Sequence, residues 1–120
     1  MKTCPAFAIL ACLALAAAAR AQDGPREIAI SARRYEYIPP VVRLKRGERV
    51  TLVLTALDVA HGLMCRPLKL KADLRPGAPV RVLLEPTEAG TFTAICNHFC
   101  GPGHSGMTMT FIVEGDAAVP

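Results

Sequence analysis

The chain has 120 residues, a length that accommodates one domain around one hydrophobic core and leaves no room for a second. Hydrophobic residues make up 52% of it and recur throughout with short polar gaps, which excludes a disordered chain. The formal net charge of +4, with two of the basic residues (Lys2 and Arg20) at the N-terminus, is too weak for a nucleic-acid binder.

The first segment reads as a targeting signal. Lys2 supplies a positive start, Pro5 to Ala19 is an unbroken apolar run, and Ala19-Arg20-Ala21 offers small residues on either side of one spacer. The run is short of the roughly 20 apolar residues that cross a bilayer and is rich in weakly hydrophobic alanine. Residues 1–21 are therefore expected to be a cleaved signal peptide, with a short uncleaved membrane anchor as the alternative, and residues 22–120 the exported domain. Cleavage removes two of five cysteines and leaves Cys65, Cys96 and Cys100, an odd number that argues against a disulfide scaffold.

From Arg26 onward the chain is built of short β-type runs separated by Pro and Gly. Glu27 to Ser31 alternates with period two. Tyr35 to Ile38 stops at Pro39-Pro40, which ends any central ladder. Val41 to Leu44 leads into a turn at Lys45-Arg46-Gly47-Glu48. Val50 to Thr55 is rich in β-branched residues and suits a central strand. Leu68 to Lys71 alternates, Arg75 to Pro79 turns, and Val80 to Leu84 is apolar. Pro86 to Gly90 turns again. Thr91 to Ile95 and Met107 to Val113 alternate on either side of a glycine-rich loop. No window carries a helical stripe. About seven short strands at this spacing predict an all-β sandwich, and Asp116 to Pro120 is expected to be a frayed tail.

The chemistry is concentrated in that loop, Cys96-Asn-His-Phe-Cys-Gly-Pro-Gly-His-Ser-Gly-Met107. Cys96 and Cys100 have three residues between them, and His104 follows Cys100 after three more. Met107 ends the loop, where the last strand begins. Thiolate, imidazole and thioether are soft donors and suit copper. The glycines let backbone fold closely around an ion. The third histidine besides His98 and His104 is His61, in Asp58-Val-Ala-His-Gly at the end of a strand, where a sandwich brings it beside the loop.

These motifs resemble the copper-binding region of the CuA domain of cytochrome c oxidase subunit II, and the similarity runs from about Glu27 to Glu114. It includes the Asp58 to His61 segment, the Pro-Gly turn before the penultimate strand and the Gly-Thr-Phe-Thr-Ala-Ile-Cys approach to the loop. The resemblance implies a cupredoxin-like Greek-key sandwich with two copper ions per chain. Cys96 and Cys100 would bridge the ions, His61 and His104 would each bind one of them, Met107 would be a weak axial ligand, and the backbone carbonyl of His98 would complete the set. It implies single-electron transfer without a catalytic site of the chain's own. Its partners would be a donor such as a c-type cytochrome and a haem–copper oxidase, and its location extracytoplasmic, periplasmic in a bacterium. The family's large subunits carry transmembrane helices and a tryptophan-containing entry patch, whereas this chain has no Trp.

The residues alone leave other readings open. They include a Cys96–Cys100 disulfide, a copper store or delivery protein, a mononuclear type 1 copper carrier that has no use for Cys96, and a tetrahedral zinc site. Cys65 alternates with Leu63 and reads as a buried inert thiol, Met109 as core, and Asp58 as a turn residue or a hydrogen-bond acceptor behind a ligand. The basic residues between Arg43 and Arg49 and between Arg66 and Arg75 read as solvated edges and loops, with an acidic partner's docking face as the alternative.

Overall fold

The computed structural model describes residues 25–115. The signal segment expected at residues 1–21 and the tail expected at 116–120 lie outside these residues. Nine strands form among them: β1 (Arg26–Arg33), β2 (Glu36–Ile38), β3 (Val41–Lys45), β4 (Val50–Ala56), β5 (His61–Cys65), β6 (Leu70–Leu74), β7 (Val80–Leu84), β8 (Gly90–Ile95) and β9 (Thr108–Glu114). They make a four-stranded sheet in the order β2-β1-β4-β7 and a five-stranded sheet in the order β3-β9-β8-β5-β6.

Period-two alternation decides which side chains meet between the sheets. In β4 it turns Val50, Leu52, Leu54 and Ala56 inward, and in β9 it turns Met109, Phe111 and Val113 inward. β1 runs parallel to β4, pairing Ile28 with Leu52 and Ile30 with Leu54. β3 runs parallel to β9, pairing Val42 with Phe111 and Leu44 with Val113. Pro39-Pro40 lies where the chain leaves the first sheet for the second, and the Pro40 carbonyl accepts from the Thr110 N–H at 2.9 Å. Gly47 takes the left-handed φ of 84° that its turn requires.

Strand ends shift by a residue or two from the sequence expectation in most elements, and three differences bear on the site. β5 is a strand of its own, one that Gly62 disguises among five residues. β6 starts at Leu70 because Arg66–Leu68 form a 3-10 turn closed by Lys69 in the left-handed region. β9 starts at Thr108 because Met107 closes a second 3-10 turn, His104–Gly106. Among the described residues no helix is long and apolar enough to cross a membrane.

The topology brings the chemistry to one end of the molecule. β8 lies between β5 and β9, with Ile95 opposite both Met64 and Thr108. The loop that leaves β8 must therefore pass over the start of β5, where His61 sits, before it returns into β9. The Cys96 N–H donates to the Met107 carbonyl at 3.2 Å and ties the two ends of the loop together.

Candidate metal centre

Every sequence-predicted donor except the His98 side chain converges here. Sγ of Cys96 and Sγ of Cys100 stand 3.8 Å apart as free, buried thiols, well beyond a sulfur–sulfur bond. From Cys100 Sγ, Met107 Sδ lies 3.8 Å away and His104 Nδ1 3.9 Å away. The Cys96 thiol donates to the His98 carbonyl at 3.2 Å, which places that carbonyl, rather than the exposed side chain, at the site. One ring nitrogen of His61 and the two cysteine sulfurs lie within 4.8 Å of one another. Met107 is fully buried, and Met109, one pleat further on, belongs to the core.

His61 is fully buried and oriented from behind. Its Nε2 lies 2.7 Å from Asp58 Oδ1. Nδ1 is left buried with no hydrogen-bond partner among the described residues. A buried polar atom without a partner is costly, and this one belongs to the ring whose other nitrogen Asp58 holds, an arrangement that suits a histidine waiting for a metal. Partial desolvation acts to raise the Asp58 carboxyl. Hydrogen bonds from the Arg34 N–H, the His61 ring and the Val59 N–H outweigh it and hold the group down at about 2. Burial, reinforced by Cys96 beside it, pushes the Cys100 thiol up to about 11. A metal would have to displace that proton. Two thiols, a thioether and two imidazoles in a buried setting form a soft donor set that fits copper.

The surrounding residues carried no sequence signal for a role here. Tyr37 is buried, and its hydroxyl donates to the Gly62 carbonyl. Burial first, then the neighbouring Cys96, drives its phenol far above the usual range. Gly62 has no room for a side chain, since a Cβ there would lie 1.9 Å from Asn97 Oδ1. Asn97 in turn donates to Met64 Sδ at 4.0 Å. On the outer side Phe99 is 73% exposed, with its ring 5.5 Å from that of His104. An open cavity of about 260 Å³ beside Cys100 is lined in part by Arg34, Val59, His98 and Phe99. Cys65 lies apart in the core, its thiol raised by burial.

The sequence matches the family described as a cupredoxin-like domain over residues 5–113. The chain belongs to that family. The solved periplasmic domain of subunit II of cytochrome oxidase from Bradyrhizobium japonicum has the same fold, with a TM-score of 0.70 at 16% identity, over 79% of this chain and 88% of that one. A heme-copper terminal oxidase structure matches with a TM-score of 0.68 at 24% identity, over 76% of this chain and 66% of that one. At those identities the likeness concerns the fold. In sequence, cytochrome c oxidase subunit 2 of Thermus thermophilus is 28% identical over 95 residues, 78% of this cupredoxin and 70% of that protein. An alternative cytochrome c oxidase subunit 2 of Bradyrhizobium diazoefficiens is 30% identical over 76 residues, 63% of this chain and 27% of that protein. The all-β sandwich and the resemblance to oxidase subunit II expected from the motifs both hold.

Proposed function

We propose that this cupredoxin is an exported electron-transfer domain that holds two copper ions at the Cys96–Met107 loop and His61. The observation that carries the reading is that the Cys96 thiol, the Met107 thioether and the His104 imidazole each lie within 3.9 Å of Cys100 Sγ, beside a buried His61 whose Nδ1 has no partner among the described residues. Cys96 and Cys100 would supply the shared thiolates, His61 and His104 the imidazoles, Met107 the weak thioether and His98 its carbonyl. Copper held there supplies a one-electron couple.

The chain's own residues do the rest. The sandwich holds the donors at the start of β5 and along one loop anchored at both ends by β8 and β9, so they would keep nearly the same places in either oxidation state. Asp58 holds the His61 ring with Nδ1 inward. Buried Met107, Cys96 and Tyr37 keep water from the inner side, while Phe99 and His104 face outward, where an electron partner would approach. By analogy with the oxidase subunits, that partner would be a c-type cytochrome or a haem–copper oxidase. The signal-like residues 1–21 support export, and intact mass of the protein from its natural host should show a chain starting near Gln22. Retention of those residues in a membrane fraction would instead support an anchored oxidase component.

The test is metal analysis with spin resonance. Two coppers per chain and a spin shared about equally between two copper nuclei are expected, and Cys96→Ser should abolish the shared signal. A one-copper hyperfine pattern in the fully loaded wild type would replace this reading with a type 1 site. A storage or delivery role would show as rapid copper transfer to an apo acceptor without reversible redox cycling.

A further inference from the structure

The donor set comes from two separate stretches of chain, the start of β5 with the β4–β5 connection that leads into it and the β8–β9 loop, and a third stretch touches both. This is the β1–β2 turn at Arg34-Tyr35. The Arg34 backbone N–H donates to Asp58 Oδ2 at 2.8 Å, while Asp58 Oδ1 faces His61 Nε2 at 2.7 Å. The Arg34 side chain reaches the other way, where its Nε donates to the Cys100 carbonyl at 2.9 Å. Tyr35 then covers the loop glycines. A Cβ at Gly101, whose φ is 143°, would lie 2.5 Å from the Tyr35 hydroxyl and 3.3 Å from Arg34 Nε, and one at Gly103 would lie 2.7 Å from the Tyr35 ring.

We propose that Arg34 is a positioning residue for the metal centre, tying the His61 half of the donor set to the Cys100 half through one backbone and one side-chain hydrogen bond. Its role toward copper rests on the reading above, whereas the tie itself belongs to the metal-free chain. Neighbouring Arg33 is spent on Glu36 at 2.6 Å, but Arg34 makes none of the ion pairs found among the described residues. Its charge is therefore directed at the loop. A guanidinium at the Cys100 carbonyl favours whichever state of a bound metal carries less positive charge, and so raises the reduction potential. Only Arg combines this charge with a directed Nε donor at that reach, and Lys replaces the charge without the fork.

The two ties are separable, because side-chain substitution leaves the bond to Asp58 in place. In Arg34→Met, amide hydrogen exchange across residues 96–107 of the metal-free chain should accelerate, with the amides of β4 and β9 unchanged. Copper loss from the loaded chain to a chelator should speed up by roughly three- to tenfold, as expected for a charge-assisted hydrogen bond partly open to solvent. The reduction potential should fall. Arg34→Lys should restore most of the potential but only part of the exchange protection. Unchanged loop exchange in Arg34→Met overturns the proposal, as does faster exchange spread evenly over the whole sandwich. If wild type takes up no copper, the copper reading fails by itself, and the exchange comparison still decides the tie.

Discussion

Asp58 accepts from two directions at once, from the Arg34 N–H at 2.8 Å and from the His61 ring at 2.7 Å, and also takes the Val59 N–H at 2.7 Å. Acceptors of this kind behind a metal-binding histidine fix the ring's tautomer, and their loss costs roughly 10–100-fold in metal affinity. Asp58→Ala should weaken copper retention by that order in competition with a chelator, while Asp58→Asn, which keeps one oxygen, should lose less. Equal affinity in Asp58→Ala and wild type would show that the imidazole is oriented by packing alone. Tyr37 poses a different question, because its hydroxyl serves the backbone of Gly62 rather than a ligand. Tyr37→Phe leaves that carbonyl without its donor at little change in volume and should lower the unfolding free energy by about 1–3 kcal/mol in urea titration. No measurable loss would mean that water replaces the hydroxyl.

Among the strands, β4 is the one with both neighbours in its sheet and four consecutive inward positions fully or nearly buried. Leu54→Ala opens a hole at a site walled by both sheets and should cost about 2–5 kcal/mol. Leu83 on adjacent β7 is 56% exposed, and Leu83→Ala should stay within about 0.5 kcal/mol. Paired chemical denaturation curves of the two variants test the assignment of faces, and comparable losses at both positions would contradict it. The surface cations add little here. Arg43–Glu114 at 3.3 Å, Arg49–Glu85 at 3.3 Å and Arg26–Glu48 at 3.1 Å are exposed pairs, each worth no more than about 1 kcal/mol. That agrees with reading the basic stretch between Arg43 and Arg49 as a solvated edge.

At the scale of the whole molecule, most of the core between the sheets comes from strand residues that are not donors, and the donor cluster continues it at one end. Leu44, Leu52, Leu54, Leu74 and Phe111 fill the interior, and Cys96, Cys100 and Met107 join the same buried cluster from the loop. Removing copper with a chelator should leave the far-ultraviolet β-sheet signal intact. The melting temperature should fall all the same, since a ligand that binds only the folded state contributes about 4 kcal/mol when present at a thousand times its dissociation constant. Collapse of the β signal on chelation would make the metal structural instead.

The donor types, their order and the strands that flank the loop were legible in the sequence, because side-chain chemistry and period-two burial are local properties. Cys96, Cys100, His104 and Met107 fall within one loop, and chain connectivity alone keeps them together. Other features were decided only by tertiary structure. The parallel pairings of β1 with β4 and of β3 with β9 join segments far apart in the chain, which no turn signal encodes. β5 was hidden because five residues containing Gly62 are too few to display an alternation. The contributions of Arg34, Tyr35 and Tyr37 were invisible for the same physical reason. Their type and spacing resemble any exposed hairpin, and what gives them a role is the folding of the β1–β2 turn against two loops that lie more than twenty and more than sixty residues away along the chain.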